Sequence, residues 1–154
     1  MSLEIIIGNY QDAVEIPVAW LTALEDIGDR AAEMAKAAAV DQDNPLAHLA
    51  TLEVALVDDE TSARVHFDFM EIPGATDVIT FQHGEIVIGA EVALRQADEF
   101  GEPFGREILR YLVHGLLHLA GHEDAEDAGQ KAMEAAQEAI VAELWGDGLA
   151  ERLA

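Results

Sequence analysis

Apolar residues recur every three or four positions from Ile16 to about Val40, at Val18, Leu21, Leu24, Ile27, Ala31, Met34 and Ala38. That period predicts an amphipathic helix with Pro17 in its first turn. A two-residue alternation then takes over. Leu52, Val54 and Leu56 predict a strand over 49–57, reached across the polar turn Asp41-Gln42-Asp43-Asn44-Pro45. Asp58-Asp59-Glu60-Thr61 can cap a helix running through Phe69, with acidic residues at its positive end. Short strands are predicted over 78–81 and 85–88, joined through Gln82-His83-Gly84 as in a hairpin. Helices follow over 90–100, ended by Gly101, over 103–120 and over 125–145, the last with Met133, Ala136, Ile140, Val141 and Leu144 inward. The opening stretch, Met1 to Ile7, has no basic region before its short apolar run, so it reads as a first strand and not as a signal peptide. Strands set among helices, with a helical C-terminal half, predict an α+β fold: a small mixed sheet packed against helices.

Length and composition narrow this further. The chain has 154 residues and 51% apolar content, which suits one domain over 1–154 with a sizeable core. No run of ~20 apolar residues is present to cross a membrane. Without cysteine there is no disulfide and no thiolate metal site, which fits a cytoplasmic protein and leaves histidine and carboxylate as the realistic metal ligands.

Those ligands crowd into one stretch. His114 and His118 lie four apart in the helix predicted over 103–120, so their side chains share one face, close enough to hold a single ion. On a continuing helix His122 would sit ~12 Å along the axis from His114, at ~1.5 Å per residue. The chain has to bend first, and Gly121 accepts the left-handed backbone that ends a helix. Either His122 or Asp124 can then close the site, since zinc takes imidazole nitrogen and carboxylate oxygen alike. Asp124 is favoured because it has more chain in which to swing back, leaving His122 and Glu123 to orient a ligand. The plainer alternative is a pair of hydrogen-bonded core histidines followed by a solvated acidic loop. A His-x-x-x-His pair also matches metalloproteases, but the position of their general-base glutamate holds Gly115. A peptidase is therefore disfavoured, and the chemistry falls to water activated by the ion. Two imidazoles and one carboxylate suit one zinc ion per chain, although the same set forms the facial triad of non-haem iron proteins and is compatible with nickel or manganese. His48, His66 and His83 fall on a short helix, loops or strand ends and read as ordinary surface histidines.

The stretch resembles the signature of the YbeY family of bacterial rRNA-maturation endoribonucleases, His-Gly-x-Leu-His-Leu-x-Gly-x-x-His, through His114, Gly115, Leu117, His118, Leu119 and Gly121. Thr76-Asp77-Val78-Ile79-Thr80-Phe81 and Gly84-Glu85-Ile86-Val87-Ile88 are similar to two strands of that family, in the same order and at the same spacing. The resemblance covers roughly residues 50 to 145. It implies a metal-dependent endoribonuclease of 16S rRNA processing and ribosome quality control, with ribosomal RNA or the small ribosomal subunit as partner. Two positions depart from the pattern. Asp124 stands where the family has its third metal-binding histidine, and Met70 stands where it has an arginine six residues before the Thr-Asp-Val block. The first change keeps a ligand. The second removes a group that could hold a phosphate bidentately or stabilise transition-state charge.

Charge complicates that expectation. The chain carries 31 acidic against 8 basic residues, net −23, the reverse of an ordinary RNA binder. Three accounts are open: a salt-rich cytoplasm that screens the charge, docking onto a basic ribosomal protein, or loss of RNA cleavage. Only Lys36 and Lys131 are lysines, a weak pointer to salt adaptation beside the blander reading of a solubilising surface. Two functions follow for test: the endoribonuclease, and a non-catalytic ribosome-associated assembly factor with a structural metal.

Overall fold

Alternation builds the sheet. In β2 (Thr51–Val57), Leu52, Val54 and Leu56 are buried while Thr51 and Glu53 face solvent. The structure, a computed structural model, describes residues 3–154. The strand expected over 1–7 is β1 (Glu4–Asn9); Met1 and Ser2 lie outside the described residues. β3 (Val78–Phe81) and β4 (Glu85–Gly89) form the expected hairpin, antiparallel with Phe81 opposite Glu85, turning at Gly84 with φ 112°. The sheet order is β1-β2-β4-β3, with β2 parallel to both β1 and β4, so the sheet is mixed.

One face of the sheet joins the main core through Ile5, Ile7, Leu52, Val54, Leu56, Ile86 and Ile88. The other carries a small cluster of Val57, Ile79 and Val87, against which Val65 of α3 (Asp59–Met70) packs. α3 starts as expected, with the Asp58 carboxylate accepting from the Thr61 N–H at 2.8 Å. It ends at Glu71, the one non-glycine residue at positive φ among the described residues.

α1 (Val18–Ala37) forms as predicted but buries a different stripe. Trp20, Ala23, Leu24, Ala31, Ala32 and Ala35 face the core, and Val18 is 76% exposed. Close approach explains the rotation: a Cβ on Gly28 would lie 2.6 Å from the Ile5 side chain, so the small residues face the sheet and Leu21, Ile27 and Met34 line the margins. Three short pieces lie outside the elements that the pattern predicts. α2 (Pro45–His48) is started by Asn44, whose side chain accepts from the Ala47 N–H at 3.0 Å, so the polar turn leads directly into a helical turn. After α4 (Ala90–Phe100), α5 (Phe104–Leu119) and α6 (Asp127–Leu144), a π-turn over Trp145–Leu149 and α7 (Ala150–Arg152) bring Leu149 and Leu153 back into the core. Leu153 can seat there because Gly105 has no side chain; a Cβ would lie 2.5 Å from the Leu153 carbonyl oxygen.

α5 is the central element. Ile108, Leu109, Leu112, Val113, Leu116 and Leu117 are at most 1% exposed, and Gly115 lies directly on Ile86 of β4. His114 and His118 flank this buried face and remain partly accessible, on a helix that the packing holds rigidly.

Candidate metal centre

α5 ends in a turn that delivers its own continuation to the histidines. Gly121 has φ 98°, its N–H donates to the His118 carbonyl, and the His122 N–H donates to the Leu117 carbonyl, both at 3.0 Å. This pair of bonds is the Schellman arrangement that satisfies the last carbonyls of a helix. The following residues run back along α5, and Asp124 Oδ2 comes to 3.7 Å from Nε2 of His114 and of His118. All three donor atoms lie within 4.8 Å of one another. A tetrahedral zinc with bonds of about 2.0–2.1 Å would draw its ligands to roughly 3.4 Å apart, close to the 3.7 Å from Asp124 to each imidazole, with the two imidazoles free to close in from within 4.8 Å. His122 goes elsewhere: the residue is 6% exposed and its ring bonds through Nε2 to the Ala38 carbonyl at the end of α1, at 2.7 Å.

The ring nitrogens are already sorted. Nδ1 of His114 donates to Gln137 Oε1 at 2.8 Å, and Nδ1 of His118 donates to the His122 carbonyl oxygen at 3.0 Å. With protons on Nδ1, each Nε2 lone pair faces Asp124 and is free to bind a cation. Burial, with the neighbouring His114 adding to it, holds the His118 pKa below the usual imidazole value against the pull of Asp124. The neutral form that a metal requires is therefore favoured. Two nitrogens and one carboxylate oxygen, pre-aimed at one point, fit a divalent ion.

Two of the supporting residues carry no short-range signal in the sequence. Gln137 is a polar residue on the inner face of α6, four after Met133, and reads in sequence like any polar position of an amphipathic helix. The need for glycine at 129 comes from the folded loop: a Cβ there would lie 2.5 Å from the carbonyl oxygen of Glu123, the residue before Asp124. Gly129→Ala is expected to push the 122–126 loop outward and weaken zinc binding by about 10-fold, the scale of losing a ligand's supporting contact. Competition against a chromophoric chelator measures this, and unchanged affinity would remove Gly129 from the site.

Two cavities meet at the cluster. One, of about 340 Å³, lies between α5 and α6; the other, of about 490 Å³, lies between the ends of α3 and α5. His114, Asp124 and Asp77 border both. Met70, 51% exposed, lines the larger cavity beside His66 and Phe69, so position 70 faces the groove that holds the cluster. His66 stays outside the donor set, bonding through Nδ1 to the Gly74 carbonyl at 2.9 Å; His48 and His83 lie beside Asp43 and Glu85. Arg110 is the one arginine or lysine lining either cavity among the described residues, and Glu102, Glu107 and Glu138 surround it. Burial acts to lower its pKa, but the bonds to Glu138 and Glu102 outweigh this and raise it above even its ordinary high value. The walls around the cluster thus present acidic, neutral polar and apolar side chains, with no uncommitted lysine or arginine among the described residues.

Fold and cluster together define an α+β protein with a His-His-Asp donor set where a buried helix turns back on itself. The chain belongs to the YbeY family, whose sequence profile, described as Endoribonuclease YbeY, matches residues 7–145. It is 35% identical over 101 residues to the endoribonuclease YbeY of Salinibacter ruber and 36% identical over 113 residues to that of Cutibacterium acnes, matches that cover 55% and 62% of this chain. They cover 64% and 72% of those relatives, and only 36% of the longer relative from Myxococcus xanthus. The solution structure of TM1509 from Thermotoga maritima is similar across 96% of this chain and 93% of that one, with a TM-score of 0.60 and 26% identity. Among the described residues, no helix is long and apolar enough to cross a membrane.

Proposed function

We propose that this chain is a metal-dependent endoribonuclease that cuts ribosomal RNA during processing and quality control of the small subunit, with zinc held by His114, His118 and Asp124. The observation that carries the reading is the pair of free Nε2 lone pairs converging with Asp124 at the junction of two open cavities, in a chain whose relatives are named endoribonucleases. A bound divalent ion supplies Lewis acidity toward a phosphoryl oxygen and lowers the pKa of water. The chain's own part is to aim the donors, through the Nδ1 bonds and the Gly121 turn, and to leave two walls open for a polymer to pass.

One observation favours a second reading, a ribosome-associated assembly factor in which the ion ties the 122–126 loop to α5. Neither cavity offers a free cation to a phosphate, because Arg110 is fully engaged and position 70 is methionine. Salt dependence separates the two. If the chain is a nuclease, its substrate approaches a surface of net −23, so cleavage is slow at low ionic strength and rises as salt or magnesium screens the repulsion. An ordinary basic binder shows the opposite trend. Met70→Arg places a guanidinium in the larger cavity and is expected to increase turnover further. Turnover of a ribosomal RNA fragment across a salt series, for the parent and Met70→Arg with His118→Ala as control, decides the matter. No cleavage at any salt by either active-site-intact chain, with zinc bound, hands the case to the assembly factor.

A further inference from the structure

His114 and His118 are held by different means. The acceptor for His118 is a backbone carbonyl, which has only an oxygen to offer. The acceptor for His114 is a glutamine amide, and a half-turn about its last bond would exchange oxygen for N–H₂. We propose that Glu138 and Arg110 are positioning residues for His114, acting through Gln137 to fix which ring nitrogen carries the proton and which is left to bind an ion. The consequence for zinc rests on the metal-site reading above; the hydrogen bonds do not.

The relay runs in one direction. Gln137 Nε2 donates to Glu138 Oε2 at 3.0 Å, and a carboxylate can only accept, so the amide oxygen is turned to His114. The ring must then donate from Nδ1, and its Nε2 keeps a free lone pair. Glu138 is fixed in turn by a bidentate pair, Arg110 Nε to Oε2 at 2.9 Å and Nη2 to Oε1 at 3.0 Å. The remaining N–H groups of Arg110 go to both oxygens of Glu102 and to Glu107, so all five donors have acceptors and the guanidinium plane cannot turn. Arg110 and His114 lie one turn apart on α5, and Gln137 and Glu138 are adjacent on α6, so the bonds form a loop across the helix pair. Gln137 is 9% exposed, so its amide is held chiefly by these two partners. This assigns Arg110 a role that its neutralised charge would not suggest: it sets a proton's place instead of holding a phosphate.

Without Glu138 the amide is free to turn and offer N–H to Nδ1. The ring proton then moves to Nε2, where the ion would bind. The test uses metal-free protein labelled with ¹⁵N-histidine, with long-range proton–nitrogen correlation above the ordinary imidazole pKa of about 6.5. The parent is expected to show His114 protonated on Nδ1. Glu138→Leu and Arg110→Lys are expected to move it toward the Nε2–H form, to leave His118 unchanged, and to weaken zinc binding by about 10- to 100-fold. Adding Gln137→Glu to Glu138→Leu should restore the Nδ1–H form, because a carboxylate accepts from either oxygen; a merely structural role gives neither the shift nor the rescue. Glu138 has a half-exposed side chain, so that variant reports even where Arg110→Lys fails to fold. His114 remaining Nδ1–H in folded Glu138→Leu, with zinc affinity unchanged within error, overturns the proposal. A parent that binds no zinc sinks the metal-site reading, and the ring signals still decide the relay.

Discussion

Replacing His118 with alanine is expected to take bound zinc from about one ion per chain to background and to abolish RNA cleavage, because among the described residues three side chains meet at the site and this removes one of them. Asp124→Ala should lose affinity well beyond the ~10- to 100-fold cost of removing an outer partner. His122→Ala separates ligand from scaffold. Its ring ties the 122–126 loop to the Ala38 carbonyl, so the variant should lose about 1–3 kcal/mol of stability through the lost part-buried hydrogen bond and the space left by a buried ring, while zinc stays bound. Metal analysis beside thermal melts reads all three. Stoichiometric zinc in His118→Ala would place the ion elsewhere.

The second large effect concerns Gly115→Glu, which installs the glutamate that a metalloprotease carries after its first histidine. That glutamate cannot be accommodated here. A Cβ at position 115 would lie 2.6 Å from Cδ1 and 3.1 Å from both Cγ1 and Cγ2 of Ile86, a β-branched residue with no exposed surface and little room to shift. Alanine alone should cost about 1–3 kcal/mol by overpacking, a fall of roughly 2–4 °C in Tm per kcal/mol for a chain of this size. Glutamate adds an unpaired charge against the sheet at several kcal/mol more, against a total stability typically of about 5–15 kcal/mol. We expect Gly115→Glu to yield no cooperative melt and Gly115→Ala to fold with lowered Tm. A stable, folded Gly115→Glu would mean that α5 does not pack on β4 as described.

The helices and strands were readable from the sequence where one local pattern decides them. Leu52, Val54 and Leu56 gave β2 by alternation, and Asp58 with Thr61 gave the start of α3. His114, His118 and Asp124 were legible together because a four-residue spacing and a glycine turn are both short-range devices. What the sequence hid was decided across the fold. The buried stripe of α1 is set by how closely Gly28 approaches Ile5, and Gly129 is required by a carbonyl six residues away in a returning loop. Gln137 looks like any polar residue on an amphipathic helix until α6 is laid against α5. The sequence could warn of an acidic surface; that Arg110 is spent on three glutamates needed the packing of α5 and α6.

The claim that an ion at this cluster drives RNA cleavage is tested most directly by zinc titration of the metal-stripped chain. Bound zinc and single-turnover cleavage of a ribosomal RNA fragment are measured in the same samples, at the salt concentration that gives most activity. Cleavage should rise in proportion to zinc and level off at about one ion per chain, with His118→Ala silent throughout. Full zinc occupancy with no cleavage, or cleavage that does not follow zinc, would contradict it.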